Sequence, residues 1–212
     1  MAELDLFGET PTVTKLSQLK AAVDACRRCP LYKNATQGVP GEGKAGAELM
    51  LIGEQPGNDE DLAGKPFVGP AGRVLNQALI EAGIDRSKTY VTNAVRHFKF
   101  EPRGKRRLHK RPNNQEIERC RWWTDLERVL VKPKLIVVMG ATAARGLLNK
   151  TVTISQMRGT VFALEDGATQ ALITIHPSYL LRIQDSDNKE REYQAFVADL
   201  KLAAKFVKKA AA

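Results

Sequence analysis

The sequence predicts an α/β fold: a three-layer α/β/α sandwich around a central, mainly parallel sheet of about four strands. Three observations carry this. Short apolar runs, such as residues 48–52 (ELMLI) and 135–139 (LIVVM), alternate with segments of helical period. That alternation is the pattern of parallel strands buried on both faces and joined by helices. Several runs empty into loops that carry Gly, Pro, Asn or His, as strands do at the carboxyl edge of an open sheet, where ligands sit. And 212 residues, 43% hydrophobic and 27% charged, are enough for one domain with a real core. Residues 1–212 are therefore read as a single domain.

The elements follow in order. Residues 14–25 set Leu16, Leu19 and Val23 at helical spacing and lead into Cys26-Arg27-Arg28-Cys29. A Gly-rich stretch at 38–46 reads as a loop. Residues 48–52 form the first strand, ending at Gly53-Glu54-Gln55-Pro56-Gly57. Residues 70–83 read as a helix with Pro70 near its start and Gly83 at its end. A second strand covers 90–95, followed by a long basic connection to Pro112 and a helix over 113–130. Residues 135–139 are the clearest strand, and Gly140 leads into a short helix at 141–148. Strands at 161–164 and 172–175 follow, the latter running into His176-Pro177-Ser178, and an amphipathic helix at 188–208 is last. The loops at 53–57, 93–110 and 176–182 each follow a strand, so they are expected to converge. There is no internal repeat.

Lys and Arg exceed Asp and Glu, 33 against 24, a formal charge of +9. A balance of this size favours a polyanionic partner, most commonly nucleic acid, although a merely soluble basic protein would carry it too. Clustering favours nucleic acid, because residues 99–111 hold seven Lys or Arg and one acid, Glu101. No apolar run approaches the ~20 residues of a membrane span, so no membrane association is expected. The first residues are polar and acidic, without the basic and apolar regions of a secretory leader, and a cytoplasmic location is expected. The three cysteines, Cys26, Cys29 and Cys120, are an odd set that favours a metal or redox role over a disulfide framework.

Four motifs, taken in order, resemble the family 4 uracil-DNA glycosylases. They are Gly53-Glu54-Gln55-Pro56-Gly57 with Glu60-Asp61, Pro66-Phe67-Val68-Gly69-Pro70-Ala71-Gly72, Thr92-Asn93-Ala94-Val95, and His176-Pro177-Ser178. The resemblance runs from about Cys26 to Arg182. Lys105-Arg106-Arg107-Leu108-His109 resembles the signature loop of the UdgX branch, in which a loop histidine bonds covalently to the abasic sugar. The resemblance implies a monomeric enzyme that excises uracil from DNA, preferably single-stranded, and keeps the sugar as a His109–C1′ adduct. A conventional turnover glycosylase and a non-catalytic damage-binding protein stay open as alternatives.

The chemistry makes separate demands. Breaking the glycosidic bond of deoxyuridine puts positive charge on the sugar and negative charge on the departing base. A catalyst needs a donor to the uracil oxygen, an anionic group near the sugar and a trap for C1′. The base must also leave the stack or arrive unpaired, which calls for an aromatic platform and a selective polar edge. On the resemblance, Phe67 stacks on uracil, Asn93 presents its amide to N3–H and O4, and His176 donates to O2. Gln55 and the Gly57 backbone line the same pocket. Read without it, Phe67 is a core side chain and Asn93 an Asx turn.

Ser178 and Arg182 are expected at the DNA backbone, with Leu180 or Leu181 as the wedge that fills the place of the flipped base. His109 is the nucleophile, and Glu54 takes or positions its proton. Lys105, Arg106, Arg107 and Lys110 hold flanking phosphates; a solvated basic loop that contains a His is the plainer alternative. Asn58 stands where the family pattern has an acid, which argues against fast hydrolytic turnover.

Cys26-x-x-Cys29 alone fits a zinc clip or a pair of cluster ligands. In the family pattern a third cysteine follows the Thr-Asn-x-Val strand, and here His97 takes its place; Cys120 matches the fourth. The implied set is Cys26, Cys29, His97 and Cys120. Spacing does not separate the metals, while the resemblance implies a [4Fe–4S] cluster, for which a histidine ligand is chemically acceptable, in a structural role.

Overall fold

The computed structural model describes residues 12–211; residues 1–11, on which the leader expectation rests, lie outside the described residues. The strands in chain order are β1 (Leu49–Gly53), β2 (Thr89–Asn93), β3 (Phe100–Arg103), β4 (Arg106–His109), β5 (Leu135–Met139), β6 (Val161–Ala163) and β7 (Gln170–Thr174). The α-helices are α1 (Leu19–Asp24), α2 (Asn58–Ala63), α3 (Pro70–Glu81), α4 (Asn114–Val131), α5 (Ala141–Leu148), α6 (Ile154–Met157), α7 (Pro177–Leu180) and α8 (Ser186–Ala211).

The main sheet has five strands in the order β2-β1-β5-β7-β6, one more than the expected four. β1, β2, β5 and β7 are parallel, with Leu51 paired to Val91 on one side and Val137 on the other. The fifth strand is β6, which pairs antiparallel to β7 at the edge. Every residue of β1, β2 and β5 is buried, which is why these strands read as unbroken apolar runs rather than alternating ones.

Alternation returns in which face each residue serves. Leu135, Val137 and Met139 join Leu75, Leu79, Phe196 and Leu200, so α3 and α8 cover one face. Ile136 and Val138 join Ala143, Ala144 and Leu147, so α5 covers the other. These layers are what the sequence predicts. A third apolar cluster packs Leu19, Val23 and Leu31 against Ile117 and Trp123 of α4. That helix begins in a reciprocal cap: Asn113 Oδ1 accepts from the Glu116 amide at 2.9 Å, and Glu116 Oε2 accepts from the Asn113 amide at 2.7 Å.

The basic connection expected as a loop is a two-stranded ribbon. β3 and β4 pair antiparallel, with Phe100 opposite His109 and Arg103 opposite Arg106, and Gly104 takes the left-handed φ of 58° that the turn requires. Phe98 and Phe100 stack at 5.1 Å beneath it, and the Arg107 guanidinium lies over both rings. Among the described residues no helix is long and apolar enough to cross a membrane.

Candidate active site

The carboxyl ends of the parallel strands open into a cavity of about 1130 Å³, whose lining includes Glu54, Phe67, Asn93, His109, Thr142 and His176. The three loops expected to converge meet here.

The floor is built on backbone. A Cβ at Gly53 would collide with the Phe67 ring and with Asn93 Oδ1, so glycine lets both side chains close over the end of β1. Phe67 is 5% exposed and holds a φ of 56°, a left-handed conformation that is uncommon for a bulky residue and persists only when its surroundings fix it. Glu60 does so. Its two oxygens accept from the Gly57 amide at 3.0 Å and the Gly69 amide at 2.8 Å, tying together the loops on either side of the ring.

Asn93 is 3% exposed at the end of β2. Its carbonyl accepts from buried Arg96, which also pairs with Glu127 at 2.9 Å. The Asn93 side-chain amide has no hydrogen-bond partner among the described residues, so its donor and acceptor both remain for a ligand.

His176 caps α7. The Ser178 amide donates to Nδ1 at 3.2 Å, and Ser178 Oγ lies 2.8 Å from the same nitrogen while accepting from Arg182 at 3.2 Å. A backbone N–H can only donate, so Nδ1 carries no proton and Nε2 does. Burial pushes the ring pKa down to about 4, against the opposing pull of the Glu54 charge. The side chain is thus a neutral imidazole with one N–H to give. Ser178, expected at the DNA backbone, orients this ring, and Arg182, expected there too, is exposed and gives one N–H to the Ser178 hydroxyl. Leu180, one of two candidates for a wedge, is 1% exposed and belongs to the core; Leu181 is 45% exposed.

The rim carries His109. Its Nε2 lies 3.2 Å from Glu54 Oε1, with the imidazole half exposed. Thr142 donates to the other carboxylate oxygen at 2.6 Å, and Arg111 Nε donates to Thr142 Oγ1 at 3.1 Å. Burial alone would raise the Glu54 pKa, but the hydrogen bonds from His109 and Thr142 outweigh it and hold the carboxyl below its ordinary range. An ionised carboxylate that faces one imidazole nitrogen fixes the tautomer of that ring and can accept its proton.

Two expected contacts are made elsewhere. Gln55 lines the cavity with Gly57, as expected, but its side-chain amide is spent on the ribbon: Nε2 donates to the carbonyls of Lys99 and Lys110, and Oε1 accepts from the Lys99 amide, each at 3.1 Å. The side chain is fully engaged in stitching the root of the β3–β4 ribbon. Arg107 reaches Asp61 at 2.6 Å and Asn58 at 2.9 Å, so it latches the ribbon to α2. Lys110 faces Glu101 at 3.4 Å, whereas Lys105 and Arg106 at the tip make no ion pair among the described residues.

Cys26, Cys29, Cys120 and His97 are all buried, at 9%, 6%, 4% and 2% exposure, and the cysteines share the third apolar cluster. Trp123 Nε1 donates to Cys26 Sγ at 3.3 Å and the Arg96 amide to Cys120 Sγ at 3.2 Å. Burial pushes the Cys120 thiol up to about 12 and raises Cys29, while it pushes His97 down to about 4. His97 Nδ1 is buried without a partner. Among the described residues, no three such side chains are drawn together as a single-ion site.

Thr142, Arg111, Arg96 and Glu60 were not anticipated as site residues. Thr142 had a signal, because it opens the helix after β5, at the same sheet edge as the other strand-end loops.

Fold and cavity together define an α/β enzyme with a pocket for a flat, hydrogen-bonding ring beside a basic rim. Residues 40–201 match the uracil DNA glycosylase superfamily, and the chain belongs to that family. It is 36% identical over 172 residues to a type-4 uracil-DNA glycosylase of Archaeoglobus fulgidus, covering 78% of this chain and 83% of that one. It is likewise 36% identical over 189 residues to the type-4 uracil-DNA glycosylase of Thermotoga maritima, covering 88% and 92%. To that of Pyrobaculum aerophilum it is 33% identical over 173 residues, covering 79% and 85%.

Proposed function

We propose that the protein is a uracil-DNA glycosylase of the UdgX branch: it excises uracil from DNA and then captures the sugar at C1′ through His109. The observation that carries this reading is the approach of His109 to ionised Glu54, 3.2 Å away, on the rim of a cavity floored by Phe67, Asn93 and His176. The names of the type-4 relatives support the uracil chemistry.

Uracil stacks on Phe67 and meets the open amide of Asn93, which accepts from N3–H and donates to O4; cytosine, with the opposite pattern at that edge, leaves the amide frustrated. As the glycosidic bond breaks, electrons pass to uracil, and the neutral Nε2–H of His176 donates to O2, where the charge collects. Glu54 stabilises the electron-poor sugar. The lone-pair nitrogen of His109 then bonds to C1′, and the resulting alkylated imidazolium gives its remaining N–H proton to Glu54. Uracil leaves as the anion held by His176 and is protonated by water. The alkylated imidazole is a poor leaving group, so the adduct persists. Lys105 and Arg106 at the ribbon tip meet phosphates. Single-stranded DNA is the preferred substrate because no unpairing is required, and the enzyme acts as a cytoplasmic monomer.

Three buried thiols and an imidazole nitrogen without a partner, with N–H groups already directed at two of the sulfurs, fit a [4Fe–4S] cluster held by Cys26, Cys29, His97 and Cys120. Its contribution is structural, joining the segment after α1 to the end of β2 and to α4.

The test is a denaturing gel of protein incubated with a uracil-containing oligonucleotide. We expect a shifted band that survives boiling, and His109→Ser should abolish it. Free abasic DNA in molar excess over wild-type protein, with no shifted band, would establish ordinary turnover instead.

A further inference from the structure

A second cavity, of about 340 Å³, opens beside the first, and Arg111 and Ala141 line both. Its wall also brings in Asn114, Arg145 and Thr151, and no carboxylate lines it. Arg145 is half-buried and Arg111 exposed. Several buried or half-buried arginines of the chain meet an acid: Arg96 meets Glu127 at 2.9 Å, Arg107 meets Asp61 at 2.6 Å, and Arg158 meets Asp199 at 3.0 Å. Arg111 and Arg145 form no ion pair among the described residues. Arg111 gives Nε to Thr142 at 3.1 Å, and Arg145 gives Nη1 to Thr151 at 3.0 Å. The remaining guanidinium N–H groups of both are without partners among the described residues. Two like charges around one small cavity repel each other, and an anion between them reverses the sign of the interaction.

We propose that this cavity receives a backbone phosphate of the strand that carries the uracil, with Arg111 and Arg145 as its ligands. The inference rests on uracil in DNA being the substrate and deepens that reading by assigning the path of the strand. A phosphodiester is compact and presents oxygens in the geometry a guanidinium fork matches. The larger cavity holds the uracil nucleotide, and the strand continues across the shared Arg111–Ala141 rim into the smaller one. Arg111 also holds Thr142, and Thr142 holds Glu54, so a phosphate that fixes this guanidinium steadies the carboxylate facing His109.

The test uses the full chain and a single-stranded oligonucleotide whose uracil nucleotide carries a 2′-fluorine. The fluorine opposes positive charge on the sugar and slows cleavage, so affinity is read without base release or adduct. Binding is measured for wild type and Arg145→Gln, with natural phosphates and with a neutral methylphosphonate replacing one phosphate at a time around the uracil. Arg145→Gln should weaken binding about tenfold, as expected for losing a charge-assisted hydrogen bond, and lower the salt slope by about 0.7, the single-strand value for one phosphate contact. One methylphosphonate position should weaken wild type by a similar factor and leave the variant unaffected.

Losses that multiply at every position would overturn the proposal. So would competition by inorganic phosphate with no position-sensitive loss, which would mark a free-anion site. Should the glutamine variant fail to fold, Arg145→Lys serves: its sensitivity at the same phosphate should fall, and an unchanged sensitivity would overturn the assignment. Failure of the uracil reading shows separately, as equal affinity for uracil- and thymine-bearing strands.

Discussion

The floor of the large cavity and the ribbon that overhangs it are held by different means. Asn93 and His176 stand at or just beyond the ends of buried parallel strands, and Phe67 sits on backbone that Glu60 ties at both sides. Their positions come with the hydrophobic core. His109 ends a two-stranded ribbon whose faces are largely exposed, and such a ribbon alone is marginally stable in water. It is kept in place by the two aromatic rings beneath it and by polar ties, namely Gln55 at its root and Arg107 on α2. The difference teaches that, on the proposed function, base recognition would belong to the sheet, whereas capture of the sugar would depend on an accessory that can be loosened without disturbing the sheet.

The largest effect that sharpens this contrast comes from the floor. His176→Ala removes the donor aimed at the developing charge on uracil, and uracil release should fall on the order of 10²–10³-fold, as for loss of one oxyanion donor. Single-turnover release of uracil measures it. Capture follows release, so the adduct should decline in step, with no release left uncaptured. A variant that releases uracil normally would break the assignment of His176 as the donor.

An effect of intermediate size comes from the ribbon. Arg107→Gln removes the latch to Asp61, a carboxylate with no solvent exposure, which the Thr36 amide still partly satisfies. Uracil release should stay near wild type, while the fraction of released sugar captured by His109 should drop by about tenfold, the effect of losing one charge-assisted hydrogen bond. The ratio of adduct to free abasic DNA on a denaturing gel reads this directly. Equal loss of release and capture would show that the ribbon and the floor are one unit, and the comparison would fail.

The same division explains what the sequence makes legible. The parallel strands are buried on both faces and announce themselves as apolar runs; the expected bounds of β5 and α5 coincide with the observed ones, and those of β1 and β2 lie within two residues. The ribbon hid because Pro102, Arg103, Gly104 and Lys105 have no apolar period, although the Gly104 turn between Phe100 and Leu108 was a hairpin signal in retrospect. α2 hid for a related reason, since four of its six residues are Asn, Asp or Glu. Motif order located the cavity floor through Phe67, Asn93 and His176, but it could not say which polar groups are already spent. The side chains of Gln55 and Arg107 looked available for base or DNA, and they are committed to the root of the ribbon and to α2. Such pairings depend on distances across the fold and leave no trace in local spacing.

The smallest expected effect concerns stability against pH and again separates floor from ribbon. His176 is half-buried as the neutral ring, with its pKa lowered from 6.5 to about 4, so between these values the unfolded chain binds a proton that the folded chain does not. Stability from this residue is therefore fully present above pH 6.5 and declines as pH falls towards 4. The cause is local, because protonating Nδ1 would set a second donor against the Ser178 amide that caps α7. His176→Asn keeps a side-chain acceptor at that cap and does not titrate, so its melting temperature should depend less on pH than that of the wild type across this window. His109, by contrast, ends the exposed ribbon outside the core. Identical acid limbs for His176→Asn and the wild type would mean that the cavity floor does not keep this imidazole neutral.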